Sequence, residues 1–237
     1  MQRYFARQIN HKIILDDGDV HHLLHVMRAK VNEEIEVVAD NKLYSCFIKS
    51  LNPLEIVINY EIPQDSELPQ EVTLFFALAK GDKIDFVVQK ATELGVSHIV
   101  LVKTERCVTK FEKKDLSRKL ERFNKIAKEA SEQSHRLRIP SIEGVVDINN
   151  IPSSMLSDIN LLAYEKEAGS TENFFDNIKK DKSISMMIGP EGGFSMKEVE
   201  MLENKYNFHR VSLGKRILRT ETAAVYALSV LGFILEK

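Results

Sequence analysis

From Val72 onward the chain alternates short apolar runs with longer amphipathic ones, and this alternation limits the possible folds more than any other feature. "VTLFFAL" reads as a strand, and "GDKIDFVVQKATELG" follows it with Ile84, Val87, Val88, Ala91 and Leu94 on one helical stripe. Asp82 is placed as its N-cap and Gly95 as its stop. The pattern then repeats: strand "HIVLV", a basic helix over 115–134, strand "NLLAY", a helical piece near 171–179, strand "ISMMIG", a helix over 196–206, strand "RVSLG" and a last helix over 221–235. Strands separated by helices predict an α/β domain with a mainly parallel sheet over residues 72–237.

Residues 1–68 have a different texture. "EIEVVADNKLYSCFIKSL" is two strand-like runs around Asp40-Asn41, a pair that tolerates the positive φ of a tight hairpin turn. "LEIVINYEI" is a third run, and one helix is expected near "DVHHLLHVMRAK" from the spacing of Val20, Leu23, Leu24 and Met27. A small β-barrel-like module follows from this, closed by a proline-rich linker, "PQDSELPQE".

Composition narrows the function class. No segment approaches the roughly 20 apolar residues of a membrane span, and the N-terminal stretch has no apolar signal-peptide core. Cys46 and Cys107 stand far apart in no metal-ligand spacing, so a reducing cytoplasm is the expected compartment. Net charge is -2, yet residues 103–128 carry ten Lys or Arg against four Asp or Glu. That stripe reads either as a solvated, ion-paired helix face or as a phosphate-contacting surface.

Two loops stand out. "IGPEGGFSMKEVE" puts three of the chain's ten glycines within five positions, between an apolar strand and a helix with a capping box, Ser195 and Glu198. Phe194 and Val199 are placed to form a hydrophobic staple across that helix start. The glycines bare the backbone, which suits a phosphate cradle or a tight turn, although no nucleotide-binding glycine fingerprint is present. "LGKRILRTETAAVYAL" takes a strand through three basic residues into a helix that Thr220 can cap.

"IGPEGGFS" followed by "LGKRILRTETAA" resembles the C-terminal signature of the knotted SPOUT-class RNA methyltransferases, and most closely the bacterial 16S ribosomal RNA uridine-N3 methyltransferases. "KGDKIDFVVQKATELGV", "TERCVTK", "KIAKEASEQSHRLRIP" and "HHLLHVMRAK" follow the same order of motifs, so the resemblance spans essentially the whole chain. It implies a deep trefoil-knot α/β catalytic domain preceded by a small PUA-like β-barrel domain, and S-adenosylmethionine as cofactor. It further implies that Ile188, Gly189, Gly193, Leu213, Gly214, Ile217 and Leu218 line the cofactor. Lys80, Arg106, Lys110 and Arg136 match family positions on the RNA side, and Arg3, Arg7, Arg28 and Lys30 are the corresponding candidates in the N-terminal domain. The implied substrate is 16S ribosomal RNA within the small ribosomal subunit.

Uridine N3 must lose a proton before it attacks a methyl group, and a cation near O2 or O4 would stabilise the anion. Arg219 is the candidate cation. Glu191 is a candidate catalytic carboxylate, with bracing of its loop as the other reading, and the general base is left unassigned. His21 and His25 share a helix face at a spacing of four, but no further ligand completes a metal site, so no metal is expected. The last helix is apolar on more than one face, which together with the resemblance implies a homodimer. Methylation of another RNA, such as transfer RNA, is the alternative within the class. A non-catalytic ribosome-associated RNA-binding module is the alternative outside it.

Overall fold

The computed structural model describes residues 2–9, 12–109, 111–164, 178–179 and 181–237. The chain divides into two units, the first made of residues 1–67 with 131–138 and the second of 68–130 with 139–237.

The first unit holds β1 (Arg3–Phe5), β2 (Arg7–Ile9), β3 (Lys12–Ile14), β4 (Glu34–Ala39), β5 (Lys42–Leu51) and β6 (Leu54–Ile62). Four of these form a sheet in the order β1-β4-β5-β6, with β1 parallel to β4 and the rest antiparallel, while β2 and β3 pair separately. The β4–β5 turn is Asp40-Asn41, at φ 50° and 60°. Two successive positive φ values match the right-handed twist of the flanking strands, which is why this pair can turn the chain in two residues. The larger core of the unit is built from Tyr4, Leu23, Ile35, Val37, Cys46 and Ile48 among others, and Val38, Leu43 and Leu137 form a smaller cluster. Burial pushes the Cys46 thiol up to about 12, which leaves it protonated and inert at neutral pH.

The helix expected near 19–30 is shorter than its spacing suggests. A five-residue α1 (Asp17–His21), capped by Asp16 through Asp19 N–H at 2.8 Å, runs into one π-helical turn over His22–Val26. Arg28 then takes φ 54°. Leu23 is buried while Val26 and Met27 stay exposed, because the wider π turn rotates them off the inner face.

Residues 131–138, which follow most of α3 (Lys113–Gln133), belong to this first unit through two arginines. Arg3 donates from Nε and Nη2 to Glu36 Oε2 at 2.9 and 2.7 Å, from Nη1 to the His135 carbonyl at 2.7 Å, and from Nη2 to Gln64 Oε1 at 2.9 Å. Arg136 pairs with Glu67 at 2.5 Å, and Glu67 also accepts from the Leu137 and Arg138 amides. The two arginine side chains are only 2% and 3% exposed. Both arginines are expected from the sequence to contact RNA; in the structure each guanidinium is engaged by a carboxylate that charge patterning could not locate.

The second unit is built on a six-stranded parallel sheet. Its strands are β7 (Val72–Ala77), β8 (His98–Lys103), β9 (Ser141–Asp147), β10 (Ile159–Ala163), β11 (Ile184–Ile188) and β12 (Phe208–Val211), in the order β12-β10-β11-β7-β8-β9. Every residue of β7 and β11 is buried, as strands covered on both faces must be. Val72, Leu74 and Phe76 join Ile184, Met186 and Ile188 in one core with α2 (Lys83–Glu93), α3 and α5 (Thr220–Leu235). Phe75 and Met187 face the other core with α4 (Met196–Tyr206). The expected ranges of α4 and α5 agree with the structure to within a residue. The helical piece near 171–179 falls largely outside the described residues. Strand β9 escaped the sequence pattern because all seven of its residues are half-buried at a sheet edge, which leaves no clear apolar period. Among the described residues no helix is long and apolar enough to cross a membrane.

The Arg136–Glu67 pair yields a stability prediction. Glu67→Ala should cost about 3–5 kcal/mol in urea unfolding, the usual result of stranding one member of a buried pair. A Glu67→Leu/Arg136→Leu double variant should lose less.

Candidate functional site

The chain leaves β7 towards β8 and β9, then crosses back to build the other half of the sheet, so strand order reverses beside β7. In open α/β sheets such a reversal opens a crevice at the carboxyl ends of the strands. Here the residues after β10, β11 and β12 converge there on a cavity of about 530 Å³, within the roughly 300–1,000 Å³ range of small-ligand sites.

One wall is the loop after β11. Gly189 has no room for a side chain, since a Cβ would sit 2.8 Å from the Phe194 ring. Phe194 is itself 3% exposed and shares a core cluster with Val199, as the staple requires. Gly193 adopts φ 65° and returns its N–H to the Pro190 carbonyl at 2.9 Å, closing a turn. The capping box is complete: Glu198 N–H donates to Ser195 Oγ at 3.4 Å, and Ser195 N–H donates to Glu198 Oε2 at 2.9 Å. The other oxygen of Glu198 accepts from Glu105 N–H at 2.7 Å.

The facing wall is the loop after β12. Gly214, at φ 107°, donates its N–H to Ser212 Oγ at 3.1 Å. Leu213 and Leu218 pack against the core, whereas Ile217 is 85% exposed. Thr220 does not cap α5; Arg219 occupies the cap position without a side-chain bond. The Thr220 hydroxyl instead donates to the Gly189 carbonyl at 2.6 Å and ties the two loops together. Asp82, expected to cap α2, likewise holds the cap position without a side-chain bond.

The rim is charged. Lys83 Nζ lies 2.9 Å from Glu191 Oε1 and 3.3 Å from Glu221 Oε2. Burial alone would raise the Glu191 carboxyl, but the Lys83 ammonium and the Glu191 and Lys80 amides outweigh it and hold Glu191 below the ordinary carboxylate range. The hydrogen bond to Glu191 in turn raises Lys83. Glu191 therefore keeps its charge above the ordinary carboxylate value and loses it only as pH falls through the depressed one. Lys83 loses its own only as pH rises through a value above the ordinary lysine range. The pair is ionised throughout the neutral region.

All seven sequence-predicted cofactor positions (Ile188, Gly189, Gly193, Leu213, Gly214, Ile217 and Leu218) line this cavity, together with Glu191 and Arg219. Lys83, Tyr164, Ser212 and Thr220 line it as well; sequence reasoning missed Lys83, Tyr164 and Ser212, which sit in otherwise ordinary helix and strand ends. Lys80 is exposed beyond β7, and Arg7, Arg28 and Lys30 are exposed in the first unit. Arg106 is exposed but turned onto the glycine loop, donating to the Gly192 carbonyl at 3.0 Å. Lys110 lies outside the described residues. The His21 and His25 rings are tilted against each other with centroids 4.8 Å apart, and among the described residues no group of three or more His, Cys, Asp or Glu side chains could hold a metal.

The surroundings fit a cofactor of mixed polarity such as S-adenosylmethionine. Three glycines expose main-chain donors and acceptors on one wall, Ile188, Leu213, Leu218 and Ala223 offer apolar surface, and no side chain is needed to recognise a purine edge.

Comparison with known proteins agrees with this geometry. An RNA methyltransferase domain model matches residues 66–232, and an RNA methyltransferase PUA domain model matches residues 15–59. The chain is 33% identical to the ribosomal RNA small subunit methyltransferase E of Bacillus subtilis, over 98% of this chain and 96% of that one. It is 30% identical to the crystal structure of a ribosomal RNA small subunit methyltransferase E from Neisseria gonorrhoeae bound to S-adenosylmethionine, with a TM-score of 0.83 and coverage of 99% and 98%. A Legionella pneumophila structure with the same bound cofactor is 29% identical, with a TM-score of 0.87 and coverage of 99% and 98%.

Thr220→Val should lower stability by about 1–3 kcal/mol, because it leaves the Gly189 carbonyl without its donor. Thr220→Ser should lose little. Thermal unfolding, with hydrogen exchange across residues 189–193, distinguishes the two.

Proposed function

The chain belongs to the family of ribosomal RNA small subunit methyltransferases E, and from that premise we propose that it methylates N3 of a uridine in 16S ribosomal RNA. The observation that carries the reading is the pair of glycine loops meeting at the carboxyl edge of the sheet, tied by Thr220 to Gly189 around one cavity. When bound there, S-adenosylmethionine supplies an electrophilic methyl group on a sulfonium. The protein's part is to orient the nucleophile and handle a proton.

Arg219 is exposed at the N-terminal end of α5, on the cavity rim. A guanidinium there can stabilise the negative charge that spreads onto O2 and O4 as N3 loses its proton. Glu191 suits bracing better than proton abstraction: Lys83 holds it ionised, and a carboxyl below its ordinary range is a weaker base. The seven cavity positions named above are assigned to the cofactor. Arg7, Arg28, Lys30 and Lys80 are assigned to phosphate contacts, which position an RNA but carry little base specificity.

Two finer features complete the proposal. The loops after β11 and β12 are read as the crossing strands of a trefoil knot, a reading supported by their lateral tie and by the strand order. The protein is read as a homodimer, since α5 leaves the large apolar side chains Phe233 65% and Tyr226 41% exposed while its opposite face lies in the core. Phe233→Glu should then shift the sedimentation coefficient from dimer towards monomer, whereas a monomeric wild type would sink the dimer reading.

The reaction is tested by methyl transfer from labelled S-adenosylmethionine to small ribosomal subunits lacking their native modifications, with naked 16S RNA and transfer RNA in parallel. Labelled 3-methyluridine is expected from the ribosomal substrate. Arg219→Ala should lower kcat about 10²–10³-fold with cofactor affinity retained. Cofactor binding without transfer to any ribosomal substrate would overturn the assignment.

A further inference from the structure

Arg106 stands behind the glycine loop and outside the cavity. Its Nη1 donates to the Gly192 carbonyl at 3.0 Å and to the Phe194 carbonyl at 3.3 Å, yet Arg106 is not among the residues that line the cavity, whereas Gly192 and Phe194 are. The platform under it is fixed. Cys107 N–H bonds the Thr104 carbonyl at 3.3 Å, and Thr104 Oγ1 lies 3.2 Å from Cys107 Sγ. Glu105 N–H is bonded to Glu198, a carboxylate only 5% exposed.

Gly192 points the same way. Its backbone does not take a positive φ, so no conformational demand explains the glycine. A Cβ there would meet Arg106 Cβ at 3.3 Å and Cδ at 3.6 Å, tighter than ordinary contact at the first. The arginine stem lies against the glycine, so a side chain there would have to push the stem away by a few tenths of an ångström. Two adjacent glycines would otherwise let the peptide planes of the cavity wall reorient at little cost. One guanidinium gripping two carbonyls removes that freedom before a ligand arrives, which lowers the ordering cost of binding.

We propose that Arg106 is a positioning residue for the cofactor, acting through the Gly192 and Phe194 carbonyls, and is not a phosphate contact. The inference rests on the proposed function, since it takes S-adenosylmethionine as the ligand of this cavity.

The test measures two affinities on the full-length protein. Calorimetry with S-adenosylmethionine reports the cavity, and titration of a 16S-derived RNA at several salt concentrations reports the phosphate surface. Arg106→Met keeps the apolar stem and should raise the cofactor Kd about tenfold, the size of a lost hydrogen bond to a charged group, with RNA affinity and its salt slope unchanged. Gly192→Ala, which crowds the stem without touching any charge, should weaken the cofactor similarly, and the double variant should be little worse than either single one. Arg106→Lys should recover only part of the loss, because an ammonium cannot reproduce the planar fork. Unchanged cofactor affinity in Arg106→Met, or a weakened RNA affinity with a salt slope shallower by about one, would overturn the proposal. A wild type that binds no S-adenosylmethionine would instead remove the proposed function, and this inference with it.

Discussion

At the carboxyl end of β11 there is no room for one extra carbon, and the site depends on that constraint. Gly189 lies so close to the Phe194 ring that a methyl group would force the two apart. Phe194 cannot yield, because it is buried in the core beneath α4. The chain therefore turns at Gly189 and Gly193, and its carbonyl at Gly189 meets the Thr220 hydroxyl across from it. One steric limit thus sets the path of the first loop, and one hydrogen bond carries that path to the second.

Around this wall the protein spends its charges unevenly. Glu198 is nearly buried, but its two oxygens accept from Ser195 and Glu105 N–H groups, so the carboxylate joins α4 to the turn after β8. Lys83 stands between Glu191 and Glu221 at the rim. The charged side chains Lys83, Glu191 and Arg219 thus stand at the cavity's rim, while the glycine loop adds main-chain groups and Ile188, Leu213, Leu218 and Ala223 add aliphatic surface. A glycine wall held from behind suits recognition by backbone, where main-chain groups must be fixed before the ligand arrives.

The first unit uses ion pairs for a different end. Arg3 and Arg136 are both buried and each is met by a carboxylate within the same unit; Arg3 also donates to the His135 carbonyl, and Glu67 also accepts from the Leu137 N–H. A buried pair of this kind adds little net stability, yet losing one member is costly. Through the Arg3 bond to the His135 carbonyl and the Arg136–Glu67 pair, these contacts join residues 131–138 to the rest of the first unit.

Much of this was legible in order along the chain. Local signals are complete within a few residues, so the Asp40-Asn41 hairpin, the capping box at Ser195 and the strand–helix alternation after Val72 could be read directly. The family resemblance, carried by the two glycine loops, pointed to the residues that line the cavity. The fate of individual polar groups could not be read in this way. Arg3 finds Glu36 33 positions away, Arg136 finds Glu67 at 69, and Thr220 finds Gly189 at 31. A basic residue in a sequence has the same appearance whether its partner is a phosphate or a distant carboxylate. Only the folded chain brings the partner within 3 Å, because hydrogen-bond energy depends on a distance that sequence separation does not encode.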